Sequence, residues 1–240
     1  MNNLASADLL NELRDLGTCA VSNAIEKFKL RLRTEGFTDS TIRCVFPNRP
    51  AVIGYAATGR IRSNALPITE GAPEFLDRTD WWDYVLSIPE PRFPVLQDMD
   101  SRPGRGAFWG QVHANIHLRL GCVGAVTNGA VRNLNEVQPT GFQLFAGNVS
   151  VSHGYVHFID FGGDIQVGGL PVSPGDLLLA DEHGVLSIPL EIAAEIPAVA
   201  REMEAQKRQI IDFCRSDAFS VDQLRELVKT TEIAGIKPVV

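Results

Sequence analysis

One stretch constrains the fold more than any other: Gly121-Cys122-Val123-Gly124-Ala125-Val126-Thr127-Asn128-Gly129-Ala130-Val131-Arg132-Asn133. Val123, Ala125 and Val126 are small or β-branched and suit a strand covered on both faces. Asn128-Gly129 is a strong turn dipeptide, because both residues tolerate positive φ. The expectation is a buried strand, a turn at Asn128-Gly129, and a helix start that projects Arg132 and Asn133 from the strand's carboxyl end. Open α/β sheets bind ligands at that end, although the same corner with a solvated arginine needs no function.

Composition narrows the classes. The 240 residues, 45% of them hydrophobic, can bury a full core as one domain spanning 1–240. With 22 basic against 29 acidic residues and a net charge of −7, the chain has no dense basic run to displace counterions, so nucleic acid is not an expected partner. No apolar run reaches the ~20 residues of a membrane helix, so no membrane partner is expected, and the N-terminus lacks the plan of a signal peptide. Cys19, Cys44, Cys122 and Cys214 are scattered without a CxxC pair, as in a reduced cytoplasmic protein. The lysines are Lys27, Lys29, Lys207, Lys229 and Lys237, all near the two ends of the chain. A central Schiff-base or phosphate-loop lysine is therefore missing. An anion held by the core must be held by arginine, backbone N–H groups or a metal.

Taken in order, residues 7–29 read as two short helices, the second capped by Thr18. Residues 30–50 read as irregular and 51–61 as a long strand. Residues 63–80 form a long polar loop, and Asp80 to Leu86 a capped helix. Phe93 to Asp100 reads as a second buried strand, followed by a helix from about Ala107 to Leu120 and a third strand, a parallel strand–helix–strand unit. That helix carries His113 and His117 at i, i+4. The Glu of H-E-x-x-H is absent, so the pair reads as two histidines on a partly exposed face, while the helix start could cradle an anion. Phe142 to Ala146 is a short strand, and 149–159 alternates as a strand with His153 and His157 on one face. Gly168-Gly169 separates two extended pieces, Ser173 to Asp176 is a turn, and 177–188 is a hairpin. Pro189 suits the first position of a long terminal helix with an apolar stripe through Ile192, Ile196, Val199, Met203 and Ile210, bent at Pro197. Ser220 to Val228 is one more helix before a tail.

The motif core, residues 106–189, resembles the RraA-like family, which includes the regulator of ribonuclease activity A and the 4-hydroxy-4-methyl-2-oxoglutarate aldolases. The matching residues are Gly110-Gln111, then Gly121, Gly124, Val126, Asn128-Gly129 and Val131-Arg132-Asn133. They continue through Pro174-Gly175-Asp176, Ala180-Asp181 and Gly184-Val185 to Ile188-Pro189. The resemblance implies an α/β fold with a swivelling mixed β-sheet core flanked by helices, N-terminal helices over 7–29 and C-terminal helices over 189–229 that include one long helix. It implies a homotrimer or hexamer with the site at a subunit boundary.

For the aldolase members, it further implies a metal-assisted carbon–carbon lyase acting on a small 2-oxo acid. Gly110, Gln111, Val112 and His113 would hold the substrate carboxylate, and Arg132 would steady the enolate oxygen. Asn133 stands where the family has the aspartate that holds Mg2+ or another divalent metal through waters. Gln111 stands where an acidic residue hydrogen-bonds those waters. A carboxylate such as Glu202 or Glu204 of a neighbouring subunit would complete the site. Both neutral amides give up the charge that binds hard cations. The alternative is a non-catalytic relative that binds a partner protein such as a ribonuclease.

Carbon–carbon cleavage that leaves an enolate needs an iminium or a Lewis acid, and the lysine map leaves Arg132 with a metal. Because no lysine lies in the central segment, borohydride added with pyruvate is expected to leave the protein's mass unchanged; an adduct on Lys27 or Lys207 would reverse the mechanistic class.

Overall fold

The structure, a computed structural model, describes residues 4–66 and 78–230. Its elements are, in chain order, α1 (Ala7–Phe28), β1 (Arg43–Cys44), β2 (Val52–Arg62), α2 (Arg78–Ser87), β3 (Arg92–Asp98), β4 (Ala107–Trp109), α3 (Gln111–Arg119), β5 (Gly124–Val131) and α4 (Leu134–Val137). There follow β6 (Gln143–Val149), β7 (His157–Phe161), β8 (Ile165–Val167), β9 (Leu170–Val172), β10 (Leu177–Asp181), β11 (Gly184–Ile188), α5 (Ile196–Cys214) and α6 (Val221–Thr230). Nine strands make one mixed sheet in the order β1-β6-β5-β3-β2-β10-β11, with β4 beside β5 and β7 beside β2. The neighbouring pairs β2–β3, β3–β5 and β5–β6 are parallel, whereas the β10–β11 hairpin joins β2 antiparallel. This is the mixed sheet flanked by helices that the family resemblance implies, with a long helix near the C-terminus.

Period-two burial decides which side each strand residue serves. In β10, Leu177 and Leu179 join the core beneath the helices, with Leu13 and Val21 of α1 and Ile196 and Ala200 of α5. Leu178 and Ala180 point to the opposite face, where the β8–β9 hairpin lays Ile165, Val167, Leu170 and Val172 over Phe93, Val95, Val126 and Phe145. Each such fully buried side chain contributes about 1.5–3 kcal/mol, which makes these two layers the main stabilising term.

Several local expectations give way to tertiary contacts. Asn128-Gly129 is not a turn but the middle of β5. Ala107–Trp109 is a strand alongside β5, so the helix begins at Gln111. Within the alternating run 149–159, Val149 ends β6 and residues 157–159 belong to β7, but 150–156 form a loop, leaving His153 outside any strand. Pro189 lies in a turn ahead of α5, and Pro197 sits in its first turn, so it starts the helix instead of bending it. Most of the expected 63–80 loop, residues 67–77, lies outside the described residues, as does the tail from 231.

The two expected N-terminal helices are joined as α1 across a kink at Gly17, whose φ of 76° favours glycine. Thr18 does not cap the second half itself. Asp181, at the end of β10, accepts from the Thr18 N–H at 2.8 Å and from its hydroxyl at 2.7 Å, and also from the His183 N–H at 2.9 Å. Burial alone would raise the Asp181 pKa, but the hydrogen bonds from Thr18 and His183 together hold it below its ordinary 3.8. Asp181 is therefore an external helix cap that ties α1 to the sheet.

Asp181→Ala is expected to cost about 1–2 kcal/mol, the worth of a strong cap, lowering Tm by several degrees. Since the folded pKa lies below the unfolded one, this stabilisation is present above pH ~4 and disappears as pH falls through the depressed folded value. Thermal melts of both proteins from neutral to acid pH should converge at the acid end; a constant gap would contradict the ionised cap.

Candidate functional site

β5 positions the site by changing partners along its length. Its first half pairs with β3 at Val126 and Thr127, and its last residues pair with β4 at Ala130 and Val131. At the crossover the Asn128 amide takes over from the backbone ladder. Its oxygen accepts from the Asp98 N–H at 2.6 Å, and its nitrogen donates to the Asp98 carbonyl at 3.0 Å. The buried Asp98 carboxylate accepts from the Gly104 and Asp100 N–H groups, while burial raises its pKa. Asn128 was legible as a turn residue. Its actual role, an amide imitating a strand neighbour, depends on Asp98 being brought alongside.

Beyond this clasp the Arg132 N–H donates to the Trp109 carbonyl at 2.9 Å, which fixes the end of β5 against the start of α3. Gly110 is the N-cap of α3, in extended conformation, with no side chain capping the helix. A Cβ there would lie 3.1 Å from Asn133 Oδ1 and 3.2 Å from Arg132 Cγ. Asn133 has a left-handed backbone, φ 55° and ψ 44°, and its carbonyl accepts the first hydrogen bonds of α4. Asparagine and aspartate are the non-glycine residues that tolerate this conformation best.

These residues surround a cavity of about 470 Å³. Gly110, Gln111, Val112, His113, Arg132 and Asn133 all line it. Sequence reasoning missed Phe108 and His153, which also line it. The His113 ring stacks on Phe108, with centroids 4.3 Å apart. The Ser150–His153 stretch, taken for a strand, carried no signal of a cavity wall. Arg132 is half-buried and has no carboxylate partner among the described residues. A fixed cation, an uncapped helix start and two imidazoles together suit an anion.

His117, expected on a partly exposed face, is instead fully buried. Its Nε2 accepts from Trp81 Nε1 at 2.9 Å, so Nδ1 carries the proton and donates to the His113 carbonyl at 2.7 Å. Burial pushes its pKa down to about 4, and it stays neutral. It is a structural residue behind the cavity wall, not a metal ligand.

The donor set does not match the divalent metal implied by resemblance. Among the described residues no Asp or Glu lines the cavity. Mg2+ draws its affinity from anionic oxygen, so amides, imidazoles and a guanidinium do not fit it. The grouping of Asp181, Glu182 and His183, whose ligand atoms lie within 4.8 Å of one another, does not line this cavity, and Asp181 is committed to capping α1.

A model of the RraA-like family, described as Aldolase/RraA, matches residues 18–187. The chain belongs to the RraA-like family. Among curated relatives it is 26% identical to the uncharacterized protein MJ0644 of Methanocaldococcus jannaschii, over 70% of this chain and 76% of that one. It is 29% identical to a putative 4-hydroxy-4-methyl-2-oxoglutarate aldolase of Halalkalibacterium halodurans, over 42% of this chain and 46% of that one. The chain spans only 15% of another relative, DlpA of Legionella pneumophila. Among solved structures, Streptomyces coelicolor RraAS2, titled an unusual member of the RNase ES inhibitor RraA family, matches with a TM-score of 0.66. It is 18% identical, and the match covers 85% of this chain and 96% of that one. At that identity the likeness concerns the fold alone.

Gly110→Ala keeps an allowed backbone but presses a methyl group on Arg132 and Asn133. Oxalate binding, read by calorimetry, is expected to weaken about tenfold while Tm barely moves; unchanged binding would show that the two side chains are not positioned by this glycine.

Proposed function

We propose that this chain is a carbon–carbon lyase acting on a small 2-oxo acid, in the manner of the 4-hydroxy-4-methyl-2-oxoglutarate aldolases. The observation that carries the reading is half-buried Arg132, without a carboxylate partner among the described residues, in a cavity shared with the start of α3, which no side chain caps. The α3 N–H groups bind the carboxylate, and Arg132 faces the 2-oxo oxygen. In decarboxylation the bond to the departing carboxylate breaks, carbon dioxide leaves, and the electron pair moves onto the carbonyl oxygen as an enolate. Arg132 opposes that charge, and a solvent proton completes the product. Retro-aldol cleavage also requires loss of the substrate's hydroxyl proton, for which His113 and His153 are the imidazoles at hand. The cavity volume falls in the ordinary range for ligand sites and admits acids larger than pyruvate.

A homotrimer or dimer of trimers is the assembly that accompanies this reading. Exposed apolar residues support it: Val112 lines the cavity, Val151 and Tyr155 flank His153, and Ile211, Phe219 and Val221 lie on or between α5 and α6. The same exposed residues, with neutral amides at Gln111 and Asn133, favour the second reading, a non-catalytic protein that binds a partner such as a ribonuclease.

Arg132→Ala is expected to reduce oxaloacetate decarboxylation about 10²-fold or more, because the enolate loses its fixed counter-charge. Initial rates of the two proteins decide the matter. Equal rates would remove Arg132 from the chemistry, and no turnover by the wild type would favour the partner-binding reading.

A further inference from the structure

We infer that the cavity holds its anion with protein groups alone, and that no divalent cation takes part in binding. This rests on the small-acid reading above and sharpens it, since the relatives' activity is expected to run through a metal.

Three observations carry the inference. First, the polar lining consists of Arg132, His113, His153, Gln111 and Asn133, with no carboxylate among the described lining residues. A divalent cation placed beside Asn133 would meet the Arg132 guanidinium with no carboxylate among the described lining residues of the same chain to offset the repulsion. The two side chains are close: a Cβ on Gly110 would touch both, Asn133 Oδ1 at 3.1 Å and Arg132 Cγ at 3.2 Å.

Second, each amide brings two N–H donors that a carboxylate lacks. Where carboxylates would accept hydrogen bonds from the waters of a hydrated cation, Gln111 and Asn133 can donate to an anion. Two amides for two carboxylates thus leave the cavity with a net positive guanidinium and added donors.

Third, Asn133 is explained without a metal. Its left-handed backbone, φ 55°, selects asparagine or aspartate for conformational reasons, and its carbonyl starts α4. Asn133→Asp can therefore restore the charge without disturbing the backbone.

The test uses the full chain and oxalate, a carboxylate that chelates divalent metals when they are present. Calorimetric titration is run once in EDTA and once in excess Mg2+, for wild type and Asn133→Asp. Binding of Mn2+ to each protein is read separately by loss of its free-ion electron paramagnetic resonance signal. The wild type is expected to bind oxalate with the same affinity in both buffers and to leave Mn2+ free. Asn133→Asp is expected to take up Mn2+ and to bind oxalate about tenfold tighter with Mg2+ than in EDTA. Wild-type oxalate binding that needs Mg2+, or wild-type uptake of Mn2+ that Asn133→Ala abolishes, would overturn the inference while leaving the small-acid reading intact. Oxalate bound in neither buffer would overturn the small-acid reading and this inference with it.

Discussion

The exchange of partners along β5, locked by the Asn128 amide on the Asp98 backbone, is the constraint on which the cavity depends. Parallel β3 and β5 part after Thr127, and without a substitute the Asp98 N–H and carbonyl would lose their partners at a buried sheet position. Asn128 supplies both groups from one side chain. The strand then continues, through a shift of register between Thr127 and Ala130, alongside β4, and the Trp109 carbonyl accepts from the Arg132 N–H. Arg132, Asn133 and Gly110 meet because two strands that are neighbours only at their ends are held there.

Behind this frame the cavity wall is stiffened from the core. His117, neutral and fully buried, links the indole of Trp81 to the carbonyl of His113. Phe108, Trp109 and Phe158 surround the same region as ring contacts. The α3 segment that lines the cavity is thereby fixed by its inner face. Asp181 does the equivalent task at the other end of the fold, where its ionised carboxylate joins the second half of α1 to β10. The two buried polar devices share a logic: each is satisfied by several hydrogen bonds, which makes its position specific.

The residues divide cleanly between those readable from sequence and those that were not. The long strand β2, the Gly168-Gly169 division of β8 from β9 and the 177–188 hairpin followed from alternation and turn chemistry, which act within a few residues. Gly110 through His113, Arg132 and Asn133 were singled out by the family resemblance, and they line one cavity. His153 and Phe108 were not, because nothing local distinguishes a cavity wall from a loop serine-histidine run or a core aromatic. The exchange of strand for helix at Ala107–Trp109 has the same origin, since three residues pair with β5 only when Ala130 and Val131 are already alongside.

Local chemistry in the chain itself determined that no central lysine is available and that positions 111 and 133 carry amides. Composition and spacing suffice for those statements, because they concern which groups exist. Only the tertiary structure decided that Asn128-Gly129 would be extended, that His117 would be buried and neutral, and that Asp181 would cap a helix more than a hundred residues away in the chain. Those outcomes rest on partners distant in sequence. A turn dipeptide, a histidine or an aspartate has several acceptable local states, and the one adopted is the one whose hydrogen bonds the folded sheet completes.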